Sequence, residues 1–326
     1  MRAAALAAAL LPSCAAAADG TRIDATLSPS GALSLGVDGE PWLRSGVTAM
    51  RHKAQWYVSG CDDATEIDCA PLELAGGGPA AAKGTDAVGE YTEQTLNWSG
   101  GGGAAKMVVG LRSYSGMSDV VSLVQRFPDG LEPQNNHGAT NEVVSAFPTF
   151  GSSARDLGVL FFDGVQLQDS RYFPWAAGTP IHASDPGVPM RKGKPGGNSK
   201  DPHGNAEGGM PLLLVDSGSG AGLVFSPLSD FFTATQAQSK ALGNWSFGMQ
   251  ATLQSAPPGH EHVTLVAAAN SPRAAMMRWG DVFMRAAGAG KQRSMAWTES
   301  GDVGLKYLSC KMATLSRFDL PGNHSF

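Results

Sequence analysis

The sequence predicts an all-β fold: a large two-layer sandwich, then one packing helix, then the start of something different. Three observations predict it. Short apolar runs bounded by Gly, Pro and Asp-Gly turns recur about a dozen times, at the spacing of a sandwich rather than of βαβ units. Glycine supplies 42 of 326 residues, nearly twice the ~7% of ordinary usage, and 20 prolines add further turns. Only one segment combines helical periodicity with both a start and a stop signal.

Taken in order, the N-terminus "MRAAALAAALLPSCAAAADG" has a positive Arg2, an apolar core and small residues before Asp19. That is the form of a secretory signal peptide over residues 1–18. "GALSLGVDGEPWLRSG" is two apolar runs split by Asp38-Gly39, a hairpin signature. "QWYVSG" follows. "AVGEYTEQTLNWSG" and "AAKMVVGLRSYS" read as a strand pair joined by the turn at Gly100 to Gly103. "VVSLVQRFP" is a strand ended by Pro128, and "DLGVLFFDG" and "MPLLLVDSGSGAGLVFSPL" supply more. "NWSFGMQATLQSAPPGHEHVTLVAAA" reads as a further hairpin with its turn near "APPG". The sandwich therefore occupies residues 19–270. Residues 271–297 hold a helix and a polar linker: Ser271 as N-cap, Pro272 at the first position, Gly288 as stop, and Met276, Trp279, Phe283 and Ala287 on one face. Residues 298–326 open a new strand, "GLKYL", and end in a polar scatter.

Composition narrows the function classes. Charged residues are 16% and the net charge is −5, which argues against nucleic acid as a partner, since that needs a basic face. With 42% apolar residues the chain can build a core. Beyond the leader no run reaches the ~18 apolar residues of a membrane span. Cys61 and Cys69 lie close together and lack two further ligands at metal spacing, so a disulfide in an oxidising compartment is expected, with no metal and no cofactor. Asn97-Trp98-Ser99 and Asn244-Trp245-Ser246 are acceptor sequences for N-glycosylation and fit a secreted glycoprotein.

Five segments carry a family resemblance: "GTDAVGEY" (Gly84 to Tyr91), "VVSLVQRFPDGL" (from Val120), "VVSAFPTF" (Val143 to Phe150), "GLVFSPLSDFFTATQ" (Gly222 to Gln236) and "LKYLS" (Leu305 to Ser309). In this order they resemble large secreted proteins of algae, protists and plants. Those proteins are similar to glycoside hydrolases of the α-galactosidase and raffinose-synthase kind. The resemblance implies a galactose-mutarotase-like β-supersandwich, a helix packed between it and a catalytic (β/α)8 barrel, and "GLKYL" as the first barrel strand. Such a barrel needs ~250 residues with its active site at the strand C-termini, whereas 18 residues follow Leu308. The expectation is a truncated barrel start with an aberrant tail. The function expected is then a non-catalytic N-terminal region of a secreted glycoside-hydrolase-like protein, with carbohydrate as its partner.

Two other readings stand beside it: a free-standing lectin-like module, and an aldose epimerase. The second would use His203 as acid and Glu207 as base in "KDPHGNAEGG". For carbohydrate, Trp175 and Tyr172 in "RYFPWAAG" offer stacking faces, and His203, Glu207 and His137 offer hydrogen bonds to sugar hydroxyls. Glycoside hydrolysis needs two carboxylates at a defined separation. Glu90, Glu93, Asp163, Asp169, Asp185 and Glu207 are available, but no spacing selects a pair.

Overall fold

The computed structural model describes residues 20–62, 67–134, 142–155, 157–162, 175–181, 211–230, 233–239 and 242–288. The expected signal peptide, His137, Tyr172, His203, Glu207 and the segment after Gly288 lie outside them. The described residues form an all-β, two-sheet sandwich with one helix at the C-terminal end and no closed barrel.

The chain opens with β1 (Ile23–Leu27), β2 (Leu33–Val37) and β3 (Glu40–Ser45). β4 (Ala49–His52), β5 (Gln55–Val58), β6 (Cys69–Leu74) and β7 (Ala80–Thr85) follow. Then come three long strands, β8 (Glu90–Gly100), β9 (Ala105–Tyr114) and β10 (Met117–Phe127). The second half contains β11 (Ser145–Ala146), β12 (Thr149–Ser153), β13 (Leu157–Phe162), β14 (Trp175–Ile181), β15 (Leu212–Asp216) and β16 (Gly222–Pro227). It finishes with β17 (Ala234–Ser239), β18 (Gly243–Met249), β19 (His260–Ala269) and the helix α1 (Pro272–Ala286).

Six strands make the smaller sheet, in the order β1-β2-β3-β12-β18-β17. Thirteen make the larger, in the order β11-β4-β5-β6-β8-β9-β10-β19-β16-β15-β13-β14, with β7 paired to β8. Pairing is antiparallel except between β5 and β6. The β2–β3 hairpin turns at Asp38 and Gly39, whose φ values of 55° and 85° match the twist of the flanking strands. The β8–β9 pair closes through a short 3-10 turn at Gly101–Gly103, as the sequence predicts.

Alternation puts one face of each sheet inward. Leu33, Leu35, Trp42, Trp245 and Phe247 of the small sheet meet Met107, Leu123, Phe127 and Phe225 of the large one in a single apolar cluster. Trp42 and Trp98 are 1% and 5% exposed. Phe225 and Phe247 stack across the seam at 4.8 Å between centroids.

Two expectations are corrected. β18 and β19 are not a hairpin: β18 pairs with β12 and β17 in the small sheet, β19 with β10 and β16 in the large one. The "APPG" segment is tied instead to the end of β10, where Leu131 and Ala256 exchange two backbone hydrogen bonds of 3.0 and 2.7 Å. Each strand carries an apolar face, and crossing between layers lets both faces look into the same interior. The helix turns a face rotated from the expected one toward the protein. Ala275 and Val282 are fully buried, Met276, Trp279, Phe283 and Ala286 are partly buried, and Ala287 is exposed.

α1 starts as predicted, with the Ser271 hydroxyl accepting from the Ala274 N–H and Pro272 in the first turn. It lies on the outer face of the large sheet over β15, β16 and β19. A Cβ on Gly222 would stand 2.9 Å from the Ala275 Cβ, so this glycine sets how closely helix and sheet approach. The Arg278 guanidinium donates to both Asp119 oxygens, at 2.5 and 2.9 Å, and fixes the helix laterally.

Candidate functional site

Of the carbohydrate residues expected from the sequence, only Trp175 falls in a described element. It opens β14 at one edge of the large sheet, opposite Phe162. His137, Tyr172, His203 and Glu207 lie outside the described residues. Cys61 and Cys69 are joined in a disulfide, with Cα atoms 6.1 Å apart. Asn97 is exposed on β8, and Asn244 lies within β18, where the third residue of its acceptor sequence, Ser246, is fully buried.

The densest charged cluster sits on the outer face of the large sheet, beside the helix. Register creates it: Glu93 of β8 is directly opposite Arg112 of β9, and Arg126 of β10 is directly opposite Glu261 of β19. Arg112 Nε donates to Glu93 Oε2 at 2.9 Å, and its Nη2 reaches both Glu261 oxygens at 2.8 and 2.9 Å. Its Nη1 donates to Asp86 Oδ2 at 3.2 Å. Arg126 Nη2 donates to Glu93 Oε2 at 2.7 Å and Nε to Glu261 at 2.5 Å. The Tyr114 hydroxyl donates to Asp86 at 2.9 Å, and the Tyr91 ring lies 4.5 Å from the Arg112 guanidinium carbon.

Burial acts to raise the Glu93 carboxyl, but hydrogen bonds and charge from Arg126 and Arg112 outweigh it and hold the group below its ordinary value. Burial likewise acts to lower Arg112, and Glu93 and Glu261 more than reverse it. Burial, with Asp86 adding to it, pushes Tyr114 up. Glu93 and Arg112 hold fixed charge near neutral pH and Tyr114 stays neutral; none of the three is poised to exchange a proton there. The cluster braces four strands and is ill suited to general acid–base chemistry.

A second polar group lies inside the sandwich. Gln125 of β10 reaches across the seam, its Nε2 donating to the carbonyls of Phe147 at 2.8 Å and Phe247 at 3.0 Å. Its cross-strand neighbour His262 is 1% exposed. Burial, reinforced by His260 and opposed by Asp230, drives the His262 imidazole down from 6.5 to about 4, so it is neutral at pH 7.

Sequence reasoning named Glu93 without its partners, and it missed Arg112, Arg126 and Glu261. A usable signal was present: "VVGLRSY" and "VVSLVQRF" each place one arginine in a mostly apolar run. A charge at that place needs a partner on the same sheet face. Clefts of about 410 and 380 Å³ also open on the described surface, the first on the outer side of β1, β2 and β3, the second between β6 and the Gly101 turn.

No protein-family model matches the chain, and no curated protein sequence matches it. Among solved structures it is similar to the α-N-acetylgalactosaminidase NagBb from Bifidobacterium bifidum in complex with GalNAc. Identity is 12%, with a TM-score of 0.32, over 86% of this chain. The chain spans 39% of the length of that enzyme.

Proposed function

We propose that this sandwich is a non-catalytic, carbohydrate-binding unit of a secreted protein of the glycoside-hydrolase-like kind. The observation that carries the reading is how the motif segments meet in space. The first four are scattered along the sequence from Gly84 to Gln236, yet they interlock in the body. Asp86 of the first reaches Tyr114, whose hydroxyl also shares a hydrogen bond with Ser122 of the second. Gln125 of the second holds the Phe147 carbonyl of the third, and Phe225 of the fourth packs edge-on against Phe150 of the third. The sequence pattern behind the family resemblance thus coincides with the bracing of the two sheets.

Secretion is supported by the form of the leader, the Cys61–Cys69 disulfide and the exposed Asn97 acceptor site. A supporting role rather than a chemical one fits the charged cluster, in which Asp86, Glu93 and Glu261 are all engaged by arginine.

The test uses the secreted, purified chain on an array of neutral, acidic and sulfated glycans, with turnover of aryl α-galactosides measured in parallel. Saturable binding to at least one glycan class and no turnover are expected. A blank array removes the carbohydrate reading, and enzymatic release of the aryl group removes the non-catalytic one.

A further inference from the structure

The outer face of the small sheet carries a row that the charged cluster does not use. Thr26 of β1 is directly opposite Ser34 of β2, and Ser34 is directly opposite Arg44 of β3. Their chain neighbours Leu27, Leu33, Leu35 and Leu43 are buried in the sandwich core. Thr26, Ser34 and Arg44 therefore share the opposite, outward face. All three line the 410 Å³ cleft, a volume within the ~300–1,000 Å³ range of small-molecule sites.

The cleft lies over a local irregularity. The β2–β3 register shifts between Leu35 and Gly36. A Cβ on Gly36 would stand 2.6 Å from the Glu40 carbonyl oxygen, so only glycine admits this close strand approach. With no side chain at Gly36, the groove has a backbone floor, and Pro41 lies opposite Gly36 along its length.

Charge in the cleft is unevenly spent. Asp24 Oδ1 is 2.7 Å from Arg22, and its Oδ2 accepts from the Gly39 N–H at 2.6 Å. Glu40 accepts from Arg155 at 3.0 Å, and Arg155 also binds Asp216 at 2.9 Å. Both cleft carboxylates are therefore already engaged. Among the described residues, Arg44, Thr26 and Ser34 make no side-chain hydrogen bond or ion pair. A cation and two hydroxyls thus stand in line, spaced by the roughly 5 Å between neighbouring strands. A guanidinium recognises carboxylate or sulfate through paired N–H donors, and hydroxyls exchange hydrogen bonds with sugar hydroxyls.

We propose that this cleft is a subsite for an acidic saccharide, in which Arg44 holds the carboxylate or sulfate and Thr26 and Ser34 hold ring hydroxyls. The proposal rests on the carbohydrate reading above and narrows it to one place and one ligand chemistry. Arg44 selects the acidic sugar, and Gly36 and Pro41 supply the flat surface on which the ring lies.

Calorimetric titration of the purified chain tests it with four probes: trigalacturonate, galactose 6-sulfate, neutral galactotriose and sodium sulfate. At least one acidic saccharide should bind at least tenfold more tightly than galactotriose and sulfate, and more weakly as salt rises. Which acidic probe binds separates a uronate from a sulfate ester. Arg44→Gln should cost at least tenfold in that affinity, Ser34→Ala a few-fold, with unfolding midpoints unchanged because both side chains are unpaired. Equal binding of neutral and acidic sugars, equal binding of bare sulfate, no binding of either acidic saccharide, or an unchanged Arg44→Gln variant overturns the proposal. If these variants keep full binding on the glycan array, this subsite falls while the carbohydrate reading stands. A blank array removes both.

Discussion

Arg112 and Glu93 face each other across β9 and β8, joined by a 2.9 Å hydrogen bond with side-chain exposures of 6% and 5%. Neither charge has enough water to be stable alone, so each is tolerated because it is paired: Arg112 with Glu93, Glu261 and Asp86, and Glu93 with Arg112 and Arg126. Glu93→Gln should destabilise the chain by about 1–3 kcal/mol, because both arginines lose one charged partner while Glu261 and Asp86 stay on Arg112 and Glu261 stays on Arg126. The double variant Glu93→Gln, Arg112→Gln should lose less than the sum of the two single changes. Urea midpoints of the four proteins measure this coupling; strict additivity would mean that the two side chains act independently.

His262 predicts a specific acid sensitivity. Its folded value, about 4, lies below its ordinary 6.5, so the unfolded chain binds this proton first as pH falls. Stability is unaffected above pH 6.5, declines through the window from 6.5 to 4, and reaches its full loss below that. Between pH 7 and pH 4.5 the loss from this residue is about 2–3 kcal/mol. Glu93 acts in the same direction at lower pH. Its depressed carboxyl contributes fully above its unfolded value, and that contribution is lost as pH falls through the folded one. His262→Gln should flatten the stability profile between pH 7 and 4.5 while leaving the more acidic limb. A profile as steep as that of the native chain would show that another group controls the window.

The contact between Gly222 and Ala275 sets the height of the helix above the large sheet. A methyl at Gly222 would meet the Ala275 Cβ at 2.9 Å, Leu213 at 3.2 Å and the Pro272 Cα at 3.2 Å. Gly222→Ala should therefore cost about 1–3 kcal/mol through overpacking. Ala275→Gly carries the ~1 kcal/mol helix penalty of glycine. In combination it should relieve the clash, so the double variant is more stable than the sum of the singles predicts. Thermal unfolding of all four proteins reads the difference, and a Gly222→Ala protein as stable as the native chain would place the helix farther from the sheet.

Several local elements were legible in the sequence because the information sits within a few residues. Asp38-Gly39 between alternating apolar runs specifies the β2–β3 hairpin, and Ser271-Pro272 specifies where α1 begins. β18 and β19 show the limit. Each carries an inward apolar face, and that face is satisfied equally by folding back into one sheet or by crossing to the other. The burial face of α1 is rotated from the expected one for a related reason. Small Ala275 was undervalued against large Met276 and Phe283, although close approach to Gly222 favours the small residue.

By itself the amino-acid sequence determined an all-β body, the turns at Asp38-Gly39 and Gly101–Gly103, the cysteine pair and the capped start of the helix. Each follows from local backbone preference and from which residues avoid water. Only the tertiary structure decided which strands neighbour one another, and the polar sites follow from those neighbours. Arg112 meets Glu261 across 149 positions of sequence, and Thr26, Ser34 and Arg44 fall into line through the register of three strands. Charge and hydrogen-bonding capacity act over a few ångströms in space, and strand register carries residues distant in sequence to within that range.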